Sequence, residues 1–555
     1  MKALTYFCKF VIVFSFFLSL NACSESNMGN RGQVVKEKHA TEQSVVMEDA
    51  AAPADALKKL DSESKSKESQ PPQRKDTIKI SDYKEIIENP FLNAQQAPVS
   101  TFSIDVDNAS YSQVRTFLNA GQLPQPNVVR IEELINYFDY DYPQPTTEHP
   151  FSITTEVGAS PWHNENQLVH IGLQGKSLDY KNLKPSNLVF LIDASGSMND
   201  ENKLPLLKKS LKLLLNELSD KDRIAIVAYA GAAGLVLPST PASEKNKIIS
   251  ALDNIMSGGS TAGADGIQLA YKVAEENQIK NGNNRVILAT DGDFNVGVSS
   301  DAELVKLITG YRQKEIFLTI CGFGIGNYQD GKMEEISKAG SGNYFYIDGF
   351  EEAKKVFVKE MRANMFTIAK DVKVQIEFNP AKVKAYRLIG YENRIMPNED
   401  FNNDLKDAGE LGAGHSVTAI YEIIPANSTQ KIAATDPLKY QKVTYASSAD
   451  GNEVATVKFR YKPLKSDKSI LLNQPINASK QVFEQTSENF RFSASVAGFG
   501  MLLRKSVNKG TATQEKMLEI AQKSKGKDEN GYRSEFIKLI ETAILLGKNQ
   551  PASKE

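Results

Sequence analysis

The sequence predicts an α/β chain organised around a doubly wound, mostly parallel sheet. An α+β N-terminal segment, an antiparallel β-sandwich-like region and a helical C-terminal tail flank it. Three observations carry this expectation. Between residues 185 and 367, continuous apolar runs alternate with amphipathic helical stretches, the pattern of strands buried on both faces beneath helices. After Ala369 the hydrophobicity reverts to period two, as in antiparallel strands with one wet face. From Asn489 onward, apolar residues recur at helical spacing. A chain of 555 residues, 41% hydrophobic and 24% charged, is long enough for several such units and apolar enough to give them cores.

The elements follow in order. Lys2 and Lys9 precede the uncharged run Phe10–Leu20, so residues 1–22 have the layout of a secretory signal. The run is shorter than the roughly 20 residues a permanent membrane span needs. Leu20-Asn21-Ala22-Cys23 resembles the bacterial lipobox, which implies cleavage before Cys23 and its acylation. Residues 23–82 are rich in Ser, Glu, Lys, Gln and Ala and lack the apolar surface to fold, so they are expected to be a disordered tether.

Residues 83–184 form the N-terminal α+β domain. It holds a strand at Thr101–Val106, a helix Asn108–Leu118 opened by Asn108 as cap, and a second helix at Val129–Phe138. Strands follow at Phe151–Val157 and Leu168–Leu173, and Tyr137–Tyr142 is an acidic turn with packed aromatics. Residues 185–367 supply buried strands at Leu188–Ile192, Arg223–Tyr229, Arg285–Thr290 and Ile316–Cys321, a short strand at Tyr344–Ile347, and a long closing helix Glu351–Phe366. Residues 368–480 read as antiparallel strands, among them Val372–Phe378, Val383–Ile389, Val417–Ile424, Gln441–Tyr445 and Val454–Tyr461. Residues 481–555 are helical.

Composition narrows the function. Lys+Arg of 66 against Asp+Glu of 68 gives a net charge of −2, without the basic surface that nucleic acid demands. Three cysteines (Cys8, Cys23 and Cys321) make neither a disulfide scaffold nor a multi-cysteine zinc site. Gly322-Phe-Gly-Ile-Gly326 is followed by Asn327, so it is a tight strand exit rather than a nucleotide loop. His163 and His170 lack metallopeptidase spacing and are expected on a surface or sheet face.

One constellation carries chemistry. Asp193-Ala-Ser195-Gly-Ser197 directly follows the first buried strand, where ligands of doubly wound sheets bind. Thr261 lies in the glycine-rich loop Gly258–Gly263 before a helix, and Asp291 directly follows the third buried strand. Two carboxylates and three hydroxyls suit a hard cation: Mg²⁺, with Mn²⁺ or Ca²⁺ as alternatives. Such a shell leaves room for an acidic side chain from a partner.

This set resembles the metal-ion-dependent adhesion site of the von Willebrand factor A domain, over about residues 185–367. The resemblance implies direct contact of Ser195, Ser197 and Thr261 with the ion, and contact of Asp193 and Asp291 often through water. The flanking segments resemble bacterial, membrane-anchored A-domain proteins of the YfbK-like group. The expectation is a lipid-anchored cell-envelope protein that captures an acidic group of a protein partner through Mg²⁺ and is not an enzyme. Its oligomeric state is not specified. Three alternatives stay open: a metal held for stability alone, an adaptor of an AAA+ ATPase, and a metal-assisted hydrolase with Asp293 as its only nearby base.

Overall fold

The computed structural model describes residues 85–104, 107–178, 184–259, 263–292, 300–324, 330–361, 365–406, 408–432 and 445–548. The signal segment, the tether with Cys23, Thr261, Asp293 and all but the last residue of the strand expected at Gln441–Tyr445 lie outside them.

A six-stranded sheet runs in the order Tyr344–Ile347, Ile316–Phe323, Asn283–Thr290, Ser186–Asp193, Arg223–Tyr229, Ala233–Pro241. All pairs are parallel except the last. Successive residues of the inner strands point to opposite faces, and both faces are covered. Leu188, Phe190 and Ile192 pack against Leu207, Leu211 and Leu214 of the helix Leu204–Glu217. Val189 and Leu191 pack against Ile267 and Ala270 of the helix Gly263–Glu276. The continuous apolar sequence of these strands follows from that double burial.

The strand Ala233–Pro241 was not expected from the sequence. It is an edge, where Gly234, Pro238 and Pro241 are tolerated because the outer side needs no ladder partner. The closing helix also differs from the expected uninterrupted Glu351–Phe366. It is α-helical over Phe350–Lys354 and π-helical over Lys355–Glu360. The wider turn sets residues five apart side by side, so the Lys355 ammonium lies 3.4 Å from the Glu360 carboxylate and 3.8 Å from the centre of the Tyr137 ring.

The segments before and after this sheet are interleaved. One antiparallel sheet has the order Leu92–Asn93, Val383–Ile389, Ser416–Pro425, Gln167–Gly175, Phe151–Ala159. A second joins Gly409–Gly412, Thr367–Phe378, Glu453–Lys462 and Ile470–Asn477, with Val99–Ser103 also on Thr367–Phe378. The two face each other as a sandwich, with Val169, Ile171 and Leu173 packed against Val374, Ile376 and Phe459. Residues drawn as 83–184 and 368–480 from the sequence therefore share both sheets, with the doubly wound unit between them in the chain. Each strand has one apolar face and needs a facing sheet, whichever half of the chain supplies it.

The other face of the first sheet carries the helices Ala109–Asn119, Ile131–Asn136, Glu488–Arg504, Gln514–Lys523 and Tyr532–Lys548 around one core. Tyr137, Phe138, Tyr140 and Tyr142 are buried in it. A Cβ on Gly172 would lie 2.4 Å from the Tyr142 ring, so glycine there lets the ring sit on the sheet. Asn108 precedes the first helix but makes no capping hydrogen bond. Charged groups tie the parts together. Arg115, 5% exposed, holds Asp348 and Glu352 next to the doubly wound sheet and Glu535 of the C-terminal helix at 2.5–2.9 Å. Among the described residues, no helix is long and apolar enough to cross a membrane.

Candidate functional site

The central strand pairs with Arg223–Tyr229 on one side and Asn283–Thr290 on the other. The chain leaves these strands in opposite directions and opens a crevice at their carboxyl ends. Asp193 ends the central strand and is fully buried. Its Oδ1 accepts the Ser195 N–H at 2.9 Å, and its Oδ2 accepts the hydroxyls of Tyr229 and Thr290, each at 3.2 Å. Ser195 is buried and Ser197 exposed, with their Oγ atoms 3.0 Å apart.

Asp291 follows Thr290 directly, and its side chain is 6% exposed. Its Oδ2 accepts the Lys203 ammonium at 3.1 Å, whereas its buried Oδ1 has no hydrogen-bond partner among the described residues. Lys203 also donates to the Ser197 carbonyl at 2.8 Å, which brings the two loops to one ammonium group. Burial raises the pKa of Asp193, and the nearby Asp291 charge adds to the rise. Burial also raises the Tyr229 phenol well above its ordinary value, with the Asp193 charge adding.

The third loop is pinned beside them. Gly258 N–H donates to the Ala194 carbonyl at 2.8 Å, and Gly196 N–H to the Gly259 carbonyl at 3.2 Å. Gly259 has φ +82°, and a Cβ there would meet the Gly231 nitrogen at 3.3 Å. Asp193, Ser195, Ser197 and Asp291 are thus brought together, and the described part of the loop leading to Thr261 ends against them.

The donors suit a hard cation. An octahedral oxygen shell at about 2.1 Å has edges of about 3.0 Å, the separation of the two serine hydroxyls. A buried carboxylate oxygen without a partner is costly unless a cation meets it. Among the described residues, no three His, Cys, Asp or Glu side chains gather as a metal site of another kind. Tyr229, Thr290 and Lys203 were missed in the sequence. Tyr229 pairs with Asp193 at the strand ends, and Thr290 is the polar close of an apolar run.

The remaining motif residues lie apart. Cys321 is buried and its thiol is pushed up by burial. His170 is buried on the helix-facing side of its sheet, against Tyr142 and Phe490. His163 is half-buried against Glu422.

A mostly parallel, doubly wound sheet with donors gathered in this crevice is consistent with a von Willebrand factor A-type domain, and the von Willebrand factor type A domain family matches residues 187–359. The family described as von Willebrand factor matches residues 77–170, and that described as "Uncharacterized protein YfbK, C-terminal" matches 363–546. The chain is 42% identical to "Uncharacterized protein YfbK" of Escherichia coli (strain K12) over 469 residues, covering 83% of this chain and 80% of that one. It belongs to the YfbK family of A-domain proteins.

Among solved structures, "von Willebrand factor type A from Catenulispora acidiphila" is 16% identical, covering 70% of this chain and 89% of that one, with a TM-score of 0.37. The ArnB paralog VWA2 from Sulfolobus acidocaldarius is also 16% identical, covering 72% of this chain and 98% of that one, with a TM-score of 0.33. The A domain points to a role in protein interaction.

Proposed function

We propose that this protein is anchored in the bacterial cell envelope through a lipid on Cys23, and that its A domain captures a carboxylate of a protein partner through Mg²⁺. Ser195, Ser197 and Thr261 would hold the ion by their hydroxyls, and Asp193 and Asp291 would supply its counter-charge. The observation that supports this best is the buried Oδ1 of Asp291, which has no partner among the described residues, on the carboxylate that a lysine links to the Asp193–Ser197 turn. When bound there, Mg²⁺ would supply a Lewis-acidic position for an incoming carboxylate. The chain's own part is to orient the hydroxyls and hold Asp193 in place through Tyr229 and Thr290.

Localisation and anchoring rest on the sequence of residues 1–23. The test is a pull-down from envelope extract by the full chain, in Mg²⁺ and in EDTA. Partner recovery should require Mg²⁺ and vanish with Asp193→Ala while the melting profile keeps its cooperativity. Equal recovery with Asp193→Ala removes the metal from the mechanism.

A further inference from the structure

A lysine is built into this crevice. Lys203 precedes the helix Leu204–Glu217 and its side chain is 13% exposed. Its ammonium donates to Asp291 Oδ2 and to the Ser197 carbonyl, with Asp200, whose side chain is 71% exposed, 3.6 Å away. Its stem lies in a fitted space. A Cβ on Gly324 would come within 2.4 Å of Lys203 Cε, and Gly324 has φ +82°. The Tyr346 hydroxyl donates to the Gly324 carbonyl and fixes that wall. Set against the two buried carboxylates, Asp193 and Asp291, the one ammonium leaves a single negative charge, with the exposed Asp200 outside that count.

We propose that Lys203 is an internal counter-cation that shares Asp291 with the divalent ion and holds the metal affinity of the site down. Lys203 takes Oδ2 and leaves Oδ1 to the ion. Its positive charge repels the ion across a short, poorly solvated distance. In the metal-free state it is the near counter-charge of a buried carboxylate. This inference rests on the metal reading above.

Titration calorimetry of the full chain with Mg²⁺ tests it. Lys203→Met keeps the apolar stem and removes the charge, and should tighten Mg²⁺ binding at least about tenfold, equivalent to about 1.4 kcal/mol. Lys203→Gln, a second neutral variant, should do the same. Lys203→Arg should stay within about threefold of the parent, since it keeps the charge. In EDTA, Lys203→Met should melt below the parent, because Asp291 loses its partner. Mg²⁺ should then raise its Tm more than it raises the parent's.

Affinity in Lys203→Met and Lys203→Gln equal to or weaker than the parent's overturns the proposal and leaves the metal site standing. Absence of Mg²⁺ binding in the parent and in every variant overturns the metal reading and this proposal together.

Discussion

Glu422→Gln tests how the sandwich is joined to the helical tail. Glu422 is fully buried in the strand Ser416–Pro425. Its Oε2 accepts two N–H groups of Arg387 at 3.0 and 2.7 Å, while Oε1 accepts Asn166 at 2.8 Å and faces His163 Nδ1 at 2.5 Å. Arg387 reaches on to Met501 and the Asn508 carbonyl in the tail. Burial alone would raise the Glu422 pKa, but Arg387, with His163 and Asn166, overrides it and holds the group at about 2, against an ordinary 4.5.

A carboxylate held that low contributes stability above its unfolded pKa and loses it as the pH falls toward 2. By linkage the contribution is about 3 kcal/mol at pH 7 and only about 1 kcal/mol at pH 3. The variant also leaves Arg387 buried without its charge partner, so the neutral-pH loss should be about 3–5 kcal/mol. The assay is thermal and urea unfolding of parent and variant from pH 7 to pH 3. The gap should be widest at neutral pH and narrow as acid is added. A gap below about 1 kcal/mol at pH 7, or one that does not change with pH, would mean that Glu422 is not held as a stabilising carboxylate by Arg387.

The other predictions concern packing and burial. Gly342→Ala should cost about 3 kcal/mol or more in unfolding free energy, since its Cβ would sit 1.5 Å from the Leu318 carbonyl oxygen, a backbone atom that cannot turn aside. Gly498→Ala should cost only about 1 kcal/mol, because its Cβ would meet the flexible Met517 Sδ. The His170 ring should stay neutral in an NMR titration down to pH 4, since burial pushes its pKa down to about 3. That depression lowers stability as the pH falls from about 6.5 toward 3, because only the unfolded chain takes up the proton there.

Legibility in the sequence followed burial. Ser186–Asp193 and Asn283–Thr290 are buried along their whole length, so their apolar runs announced them. Ala233–Pro241, Gly409–Gly412 and Ile470–Asn477 were missed, since edge strands carry glycine, proline and exposed residues such as Leu235 and Leu471. The π-helical turn at Lys355 was not visible, because the ring its ammonium packs on, Tyr137, lies more than two hundred residues earlier.

For the site, the D-x-S-x-S spacing and the residues ending the apolar strands were readable. The supports were not. That Tyr229 and Thr290 hold Asp193 depends on which strands are neighbours, and that Lys203 reaches Asp291 depends on the space left by Gly324.

Anomalous diffraction from crystals of the full chain grown with Mn²⁺ would show whether the crevice holds a divalent ion. One strong peak should lie in the crevice, about 2.1–2.2 Å from Ser195 Oγ and Ser197 Oγ, with Thr261 and the Asp291 Oδ1 side turned toward it. No peak there, or an ion held only by the exposed Asp200, would contradict the metal reading.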